Sequence, residues 1–94
     1  MGTFHDDLGE LHGITVVVDT SGPRVWIGRC HEQTDDGILL LDADDHDDGR
    51  DGLSKAQWVE RAARFGHWNR HPRVTVAAAE IASVRRLGDL ASAS

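Results

Sequence analysis

Apolar residues along this chain recur with two different periods, and the switches between them mark its elements. ITVVV, residues 14–18, is a short apolar run between Gly13 and the Ser21-Gly22-Pro23 segment. It predicts a strand that runs into a turn, because Pro23 cannot donate in a ladder and Gly22 tolerates a positive φ. In PRVWIGRCHEQ, residues 23–33, alternation sends Val25, Ile27 and Arg29 to one face and Trp26, Gly28 and Cys30 to the other. Gly28 inside that strand predicts a sharp bend or a close backbone approach. TDDG, residues 34–37, reads as a turn and ILLLDA after it as a buried strand, so residues 24–43 form a hairpin. Upstream, Thr3 as N-cap with Phe4, Leu8 and Leu11 at helical spacing predicts a short helix ending at Gly13.

The period then changes. Ser54 as N-cap, Gln57 three residues on, and Leu53 placed to staple against Trp58 predict a helix over 54–65 that stops at Gly66. Trp58, Ala62 and Phe65 share its apolar stripe, which places Trp58 and Phe65 in the core together with Trp26, and Glu60 with Arg64 makes an i,i+4 pair. HWNRHP is an irregular return. RVTVAAAEIASVRRL alternates as two short strands with a break near Ala79 and Glu80, and residues 91–94 read as a frayed tail. The predicted class is mainly β: a five-stranded, strongly bent antiparallel barrel with a short N-terminal helix and a helix inserted between strands 3 and 4. One domain spans residues 1–90, with an acidic loop and helix insertion at about 44–72.

Composition narrows the setting. At 94 residues, folding buries only about 60–65% of the surface of the open chain, so the core is thin. Cys30 is a lone cysteine, which excludes an internal disulfide and suits a reducing compartment. MGTFHDDLGE has acid where a signal peptide needs Lys or Arg, and Asp6 stands where a myristoylation signal needs Ser or Thr. No apolar run approaches the roughly 20 residues of a membrane span. The expectation is a cytoplasmic protein with no membrane partner.

Charge is divided unevenly. Residues 1–52 hold three arginines against thirteen Asp and Glu, a net of −10, whereas residues 53–94 hold seven cations against three acids, a net of +4. Much of the acid lies in DADDHDDGRDG, residues 42–52, with six aspartates and one histidine. This stretch fails as an EF-hand. With Gly49 at loop position 6 the twelfth position is Lys55, and with Gly52 at 6 it is Trp58, where a bidentate Glu is required. Carboxylates ~4 Å apart repel by about 1 kcal/mol in water and more out of it, so these must stay hydrated, meet arginines or bind a cation. Two outcomes stand: a solvated loop or one salted by Arg50, Arg61 or Arg64, and adventitious Ca²⁺ or Mg²⁺ on Asp42, Asp44, His46 and Asp48. No dedicated cofactor is expected.

Other candidate chemistry is sparse. His67 and His71 have i,i+4 spacing, but Gly66 and Pro72 bracket them and oppose a helix. Cys30 and His31 are strand neighbours on opposite faces, so they cannot serve as nucleophile and base. Residues 67–73 offer Trp68 and His71 to stack on bases and Arg70 and Arg73 to hold phosphates, an RNA-binding reading. Against it, Trp68 could cover the barrel end while the arginines neutralise the acidic loop. No DNA contact is expected.

VVVDTSGPRVWIGRCHEQTDDGILLLDA and VTVAAAEIASVRRL, in that order and with a bend-making glycine in strand 2, resemble the two sequence motifs of the Sm-like proteins: eukaryotic Sm and LSm proteins, bacterial Hfq and small uncharacterised bacterial relatives. The resemblance covers residues 13–43 and 73–87. It implies a ring in which strand 4 of one subunit pairs with strand 5 of the next. Sm proteins commonly place an Asp and an Asn before strand 3 to hold a uridine; here those positions are Thr34 or Asp35, and Ile38. The Arg-Gly pair of the second motif falls on Ala77 and Ala78. The resemblance therefore implies the fold without the usual RNA pocket. Independently, RVTVAAA and IASVRRL lack Pro, Lys and inward charge, so as edge strands they are free to pair, with Val74, Val76, Ile81 and Val84 at the contact. The expected role is a non-enzymatic homo-oligomeric ring that acts as a binding or scaffold module.

Overall fold

The computed structural model describes residues 12–93, with side chains described as far as residue 90. Five antiparallel strands, β1 (Thr15–Thr20), β2 (Arg24–Thr34), β3 (Gly37–Asp47), β4 (His71–Ala77) and β5 (Ile81–Arg86), form one sheet in the order β4-β3-β2-β1-β5. Helix α1 (Lys55–Phe65) follows β3, and helix α2 (Leu87–Ala93) follows β5. The five antiparallel strands and the helix inserted between strands 3 and 4 are as the sequence predicts. The short helix expected from Thr3 lies outside the described residues.

The Val16-Val17-Val18 run is fully buried because β1 is central and covered on both faces. Val16 and Val18 join Cys30, Ile38, Leu40, Ala43 and Val76 in one cluster, against which Trp26, Val74, Ile81 and Val84 pack. All five strands contribute to it, including both edges, so the sheet curls around this cluster as its interior. Val17, Val25 and Ile27 face the other way and are covered by Val59, Ala62 and Trp58 of α1 and by Leu87 and Leu90 of α2. Gly28 is where the curl is made. The β2–β3 register advances by one residue between Ile27 and Arg29, and a Cβ on Gly28 would lie 2.9 Å from the Ala43 Cβ and 3.1 Å from the Leu40 Cβ. That is the close approach predicted for it.

Several expectations need correction. The acidic segment was expected to be a loop from about residue 44, yet β3 continues through Asp47. Pairing with Arg24–Ile27 supplies its backbone hydrogen bonds, and these outweigh the poor strand propensity of Asp. Strand β4 begins at His71 and so includes Pro72, which an edge strand tolerates at its start. Residues 91–93, expected to fray, belong to α2. Phe65, expected in the core, is 80% exposed. Within ILLL only Ile38 and Leu40 are fully buried; Leu39 and Leu41 are half-buried. The Ser54–Gln57 capping box forms in both directions, and Gly66 ends α1.

Candidate functional site

Two regions hold candidate chemistry: the carboxyl half of β3 with the helix above it, and the two sheet edges.

Cross-strand pairing decides where the acidic side chains go. Asp44 is opposite Ile27 and His46 opposite Val25, and Ile27 and Val25 both lie beneath the helices. Asp44 and His46 therefore share the face under α1. His46, 1% exposed, stacks on Trp58 with ring centroids 5.2 Å apart and planes 9° apart. Its Nε2 donates to the Leu53 carbonyl at 2.8 Å. A histidine thus bridges Leu53 and Trp58, the two residues between which the sequence predicts an apolar staple. Asp44 accepts the Asp45 N–H at 2.9 Å and pairs with Arg70 at 3.3 Å.

Asp45 and Asp47 take the opposite face. Asp45 accepts from His71 Nε2 at 2.8 Å and lies 3.5 Å from Arg24; Asp47 pairs with Arg24 at 3.2 Å. The hydrogen bond to Asp47 raises the pKa of the Arg24 guanidinium further. His71 also meets the edge of Trp26, centroid to centroid 5.2 Å. Asp42, at φ 51, pairs with Arg29 at 3.3 Å. Asp48 accepts the Lys55 N–H at 3.0 Å, at the start of α1.

The stretch is therefore salted, but by Arg24, Arg29 and Arg70, with a hydrogen bond from His71, rather than by Arg50, Arg61 or Arg64. Arg64 pairs with Glu60 at 3.1 Å, and Arg50 donates to the Asp45 carbonyl at 2.9 Å. Among the described residues no group of three or more His, Cys, Asp or Glu converges as metal ligands would. Of the four residues named as a cation set, Asp44 and His46 share a face, while Asp42 and Asp48 are engaged elsewhere. The four residues of the RNA reading fall in three places. Trp68 and Arg70 border the helix, His71 is held by Asp45, and Arg73 lies exposed on β4. Trp68 is 75% exposed.

What sequence reasoning missed is the hollow these residues border. A cleft of about 570 Å³ opens between α1, the turn at Arg50–Gly52 and the segment after Gly66. Asp44 and His46 form its floor, and Arg50, Arg61, Phe65 and Trp68 stand on its walls. The available signal was Phe65 followed three residues later by Trp68, two aromatics on either side of a helix-ending glycine and flanked by arginines.

The second region is the pair of edges. Strands β4 and β5 are the two ends of the sheet order. Val76 is buried, while Val74, Ile81 and Val84 are half-buried, and all four pack inward on the interior cluster. They hold the edges in shape; the outward side chains include Arg73, Thr75 and Ala77 on β4 and Ala82, Ser83 and Arg85 on β5. Ile38, at the Asn position of the Sm motif, is fully buried, so it leaves no side chain for a base. Cys30 is a buried free thiol, and burial raises its pKa, which leaves it unreactive. His31 on the next residue is exposed on the other face. No helix among the described residues is long and apolar enough to cross a membrane.

No family model matches the sequence, and no curated protein does. Solved structures do. A novel Sm-like archaeal protein from Pyrobaculum aerophilum is similar with a TM-score of 0.57 at 20% identity, over 86% of this chain and 48% of that one. The chain thus spans about half the length of the archaeal protein. A chain in the crystal structure of the NatC complex bound to CoA is similar with a TM-score of 0.58 at 11% identity, over 92% of this chain and 91% of that one. The fold is Sm-like.

Proposed function

We propose that this chain is a non-enzymatic Sm-like module that assembles into a closed homo-oligomeric ring, β4 of one copy pairing with β5 of the next, and that the ring serves as a scaffold for binding. The observation that carries this reading is the sheet order, which leaves β4 and β5 as the two open ends. An edge strand presents unpaired N–H and C=O groups, and these two have little to blunt them: no Lys, and Pro72 only near the start of β4. Pairing the two unlike edges is head-to-tail and buries every edge once the rotation closes. Both edges are cationic, with Arg73 on one and Arg85 and Arg86 on the other. The contact therefore rests on the backbone ladder rather than on the acidic and basic halves of the sequence, and it persists at high salt. The likeness to a chain of the NatC complex, itself a multi-component assembly by its name, suits a scaffold role. A reducing, cytoplasmic setting suits the lone thiol.

Light scattering on the purified protein tests this. The expected mass is an integral multiple of the 10.3 kDa chain. Thr75→Lys with Ala77→Lys adds two cations to β4, and such like-charge juxtaposition, worth several kcal/mol at an interface, returns it to one chain with its far-UV circular dichroism intact. A wild-type mass of one chain at every concentration overturns the reading.

A further inference from the structure

The cleft beneath α1 has no part in edge pairing. We propose that it binds a single nucleoside monophosphate unit, with the base against Trp68 and Phe65, a base N–H on Asp44 and the phosphate between Arg61 and Arg50. Four observations converge. Phe65 and Trp68 are 80% and 75% exposed, and flat aromatic faces held in water beside arginines are stacking platforms. Arg61 makes no ion pair among the described residues, unlike Arg64 and Arg70, which are held by Glu60 and Asp44. Arg50, on the facing wall, donates one N–H to the Asp45 carbonyl and retains others, since a guanidinium carries five. Two guanidinium forks on opposite walls match the oxygens of a phosphate.

The third and fourth observations set the class of the base and the size of the guest. The floor is a carboxylate: Asp44 has a side chain only 3% exposed and lies within the cleft lining. Its Oδ1 already takes the Asp45 N–H and Arg70; a carboxylate accepts, so a ring that meets its other oxygen carries an N–H donor, as a nucleobase does and a phenyl ring does not. The volume of about 570 Å³ lies within the 300–1,000 Å³ usual for small-ligand sites. The lining includes Asp51 as well as Asp44 against its three arginines, and the chain is net negative. Long-range attraction for an anion is therefore weak, and affinity comes from the local contacts, at roughly 0.1–1 mM. The unit could be a free nucleotide or the phosphorylated end of a strand; the cleft recognises what the two share.

Nuclear magnetic resonance on the full chain reads this through the indole N–H signals of Trp58 and Trp68. AMP is expected to shift both saturably, with phenyl phosphate and inorganic phosphate at least about tenfold weaker. Arg61→Glu and Trp68→Ala each weaken AMP about tenfold or more while leaving melting temperature and solution mass unchanged. The Thr75→Lys, Ala77→Lys chain binds AMP as the wild type does, so a failure of the assembly reading leaves this one standing. A 5′-phosphorylated trinucleotide that binds more tightly than AMP identifies a strand end, and equal binding identifies the free nucleotide; both uphold the site. No saturable shift by AMP, CMP or GMP up to roughly 10 mM, or one that survives both substitutions, overturns it. So does protection of Trp68 from acrylamide quenching in the assembled protein, which would mean that a second copy covers the patch.

Discussion

The carboxyl half of β3 and the two sheet edges invert what their residues suggest. The first is the most charged stretch of the chain, and its charges are nearly all satisfied within the fold. Arg24, Arg29, Arg70, His71 and a helix N–H take up five of the six carboxylates in residues 42–52. The second carries short side chains and three exposed arginines, Arg73, Arg85 and Arg86, and it is there that the sheet order leaves two strand edges open. Charge density in sequence thus measures how much must be neutralised, not where the protein reaches outward. The polar groups that the proposed edge pairing would use belong to the backbone and carry no residue signature.

This contrast is sharpened by substitutions that should act on stability alone. The largest effect is expected from Asp44→Ala. It removes the acceptor of the buried Asp45 N–H and the partner of Arg70. Arg70 is 55% exposed and finds water, but the orphaned N–H does not. The loss is about 2–3 kcal/mol, a fall in melting temperature of about 10 °C or more for a domain of this size. Denaturant titration measures it, and the solution mass below the transition stays the same. A change of mass without a loss of stability would erase the distinction between the two regions.

A smaller effect is expected at Lys55. Its ammonium donates to Asp19 Oδ1 at 2.7 Å, to the Thr20 carbonyl at 3.0 Å and to the Gly22 carbonyl at 2.6 Å. One side chain thereby fastens the first turn of α1 to the β1–β2 corner. Lys55→Met keeps the apolar stem and deletes the donors. Because Gly22 is exposed and Asp19 is 33% exposed, water replaces part of what is lost, and the cost is about 1–2 kcal/mol. Assembly is again unchanged.

How much of this the sequence disclosed follows from which forces were local. The Ser54 capping box and the Gly66 stop are contacts within a few residues, and both were legible. The Gly28 bend was legible because only a missing Cβ admits Ala43 and Leu40 so closely. The strand character of Asp44–Asp47 was not, since aspartate disfavours strands and only the partner strand reverses that. Register offered a clue: carrying the pairing of Thr34 with Gly37 down the hairpin puts Arg24 opposite Asp47, as found. The exposure of Phe65 was hidden for the converse reason. Its spacing fits the stripe of Trp58 and Ala62, but it stands outside the cluster those two join beneath the helices, and periodicity does not report where the covering surface stops.

The smallest expected effect is a null one, and it bears most directly on the acidic stretch. A cation that binds only the folded state must raise the melting temperature by mass action. Asp42, Asp44, His46 and Asp48 would have to converge to hold one, as carbonyls and carboxylates do around Ca²⁺ at about 2.3–2.6 Å. Instead Asp42 leans to Arg29, Asp48 to the first N–H of α1, and the His46 Nε2 that could ligate a metal is engaged by Leu53. Capturing an ion would mean breaking these contacts before any metal bond formed. Excess Ca²⁺ or Mg²⁺ is therefore expected to leave the melting temperature within about 1 °C of its value in chelator. A saturable rise of several degrees would show that the carboxylates of β3 are less fully engaged than their geometry indicates, and the two regions would then differ in degree only.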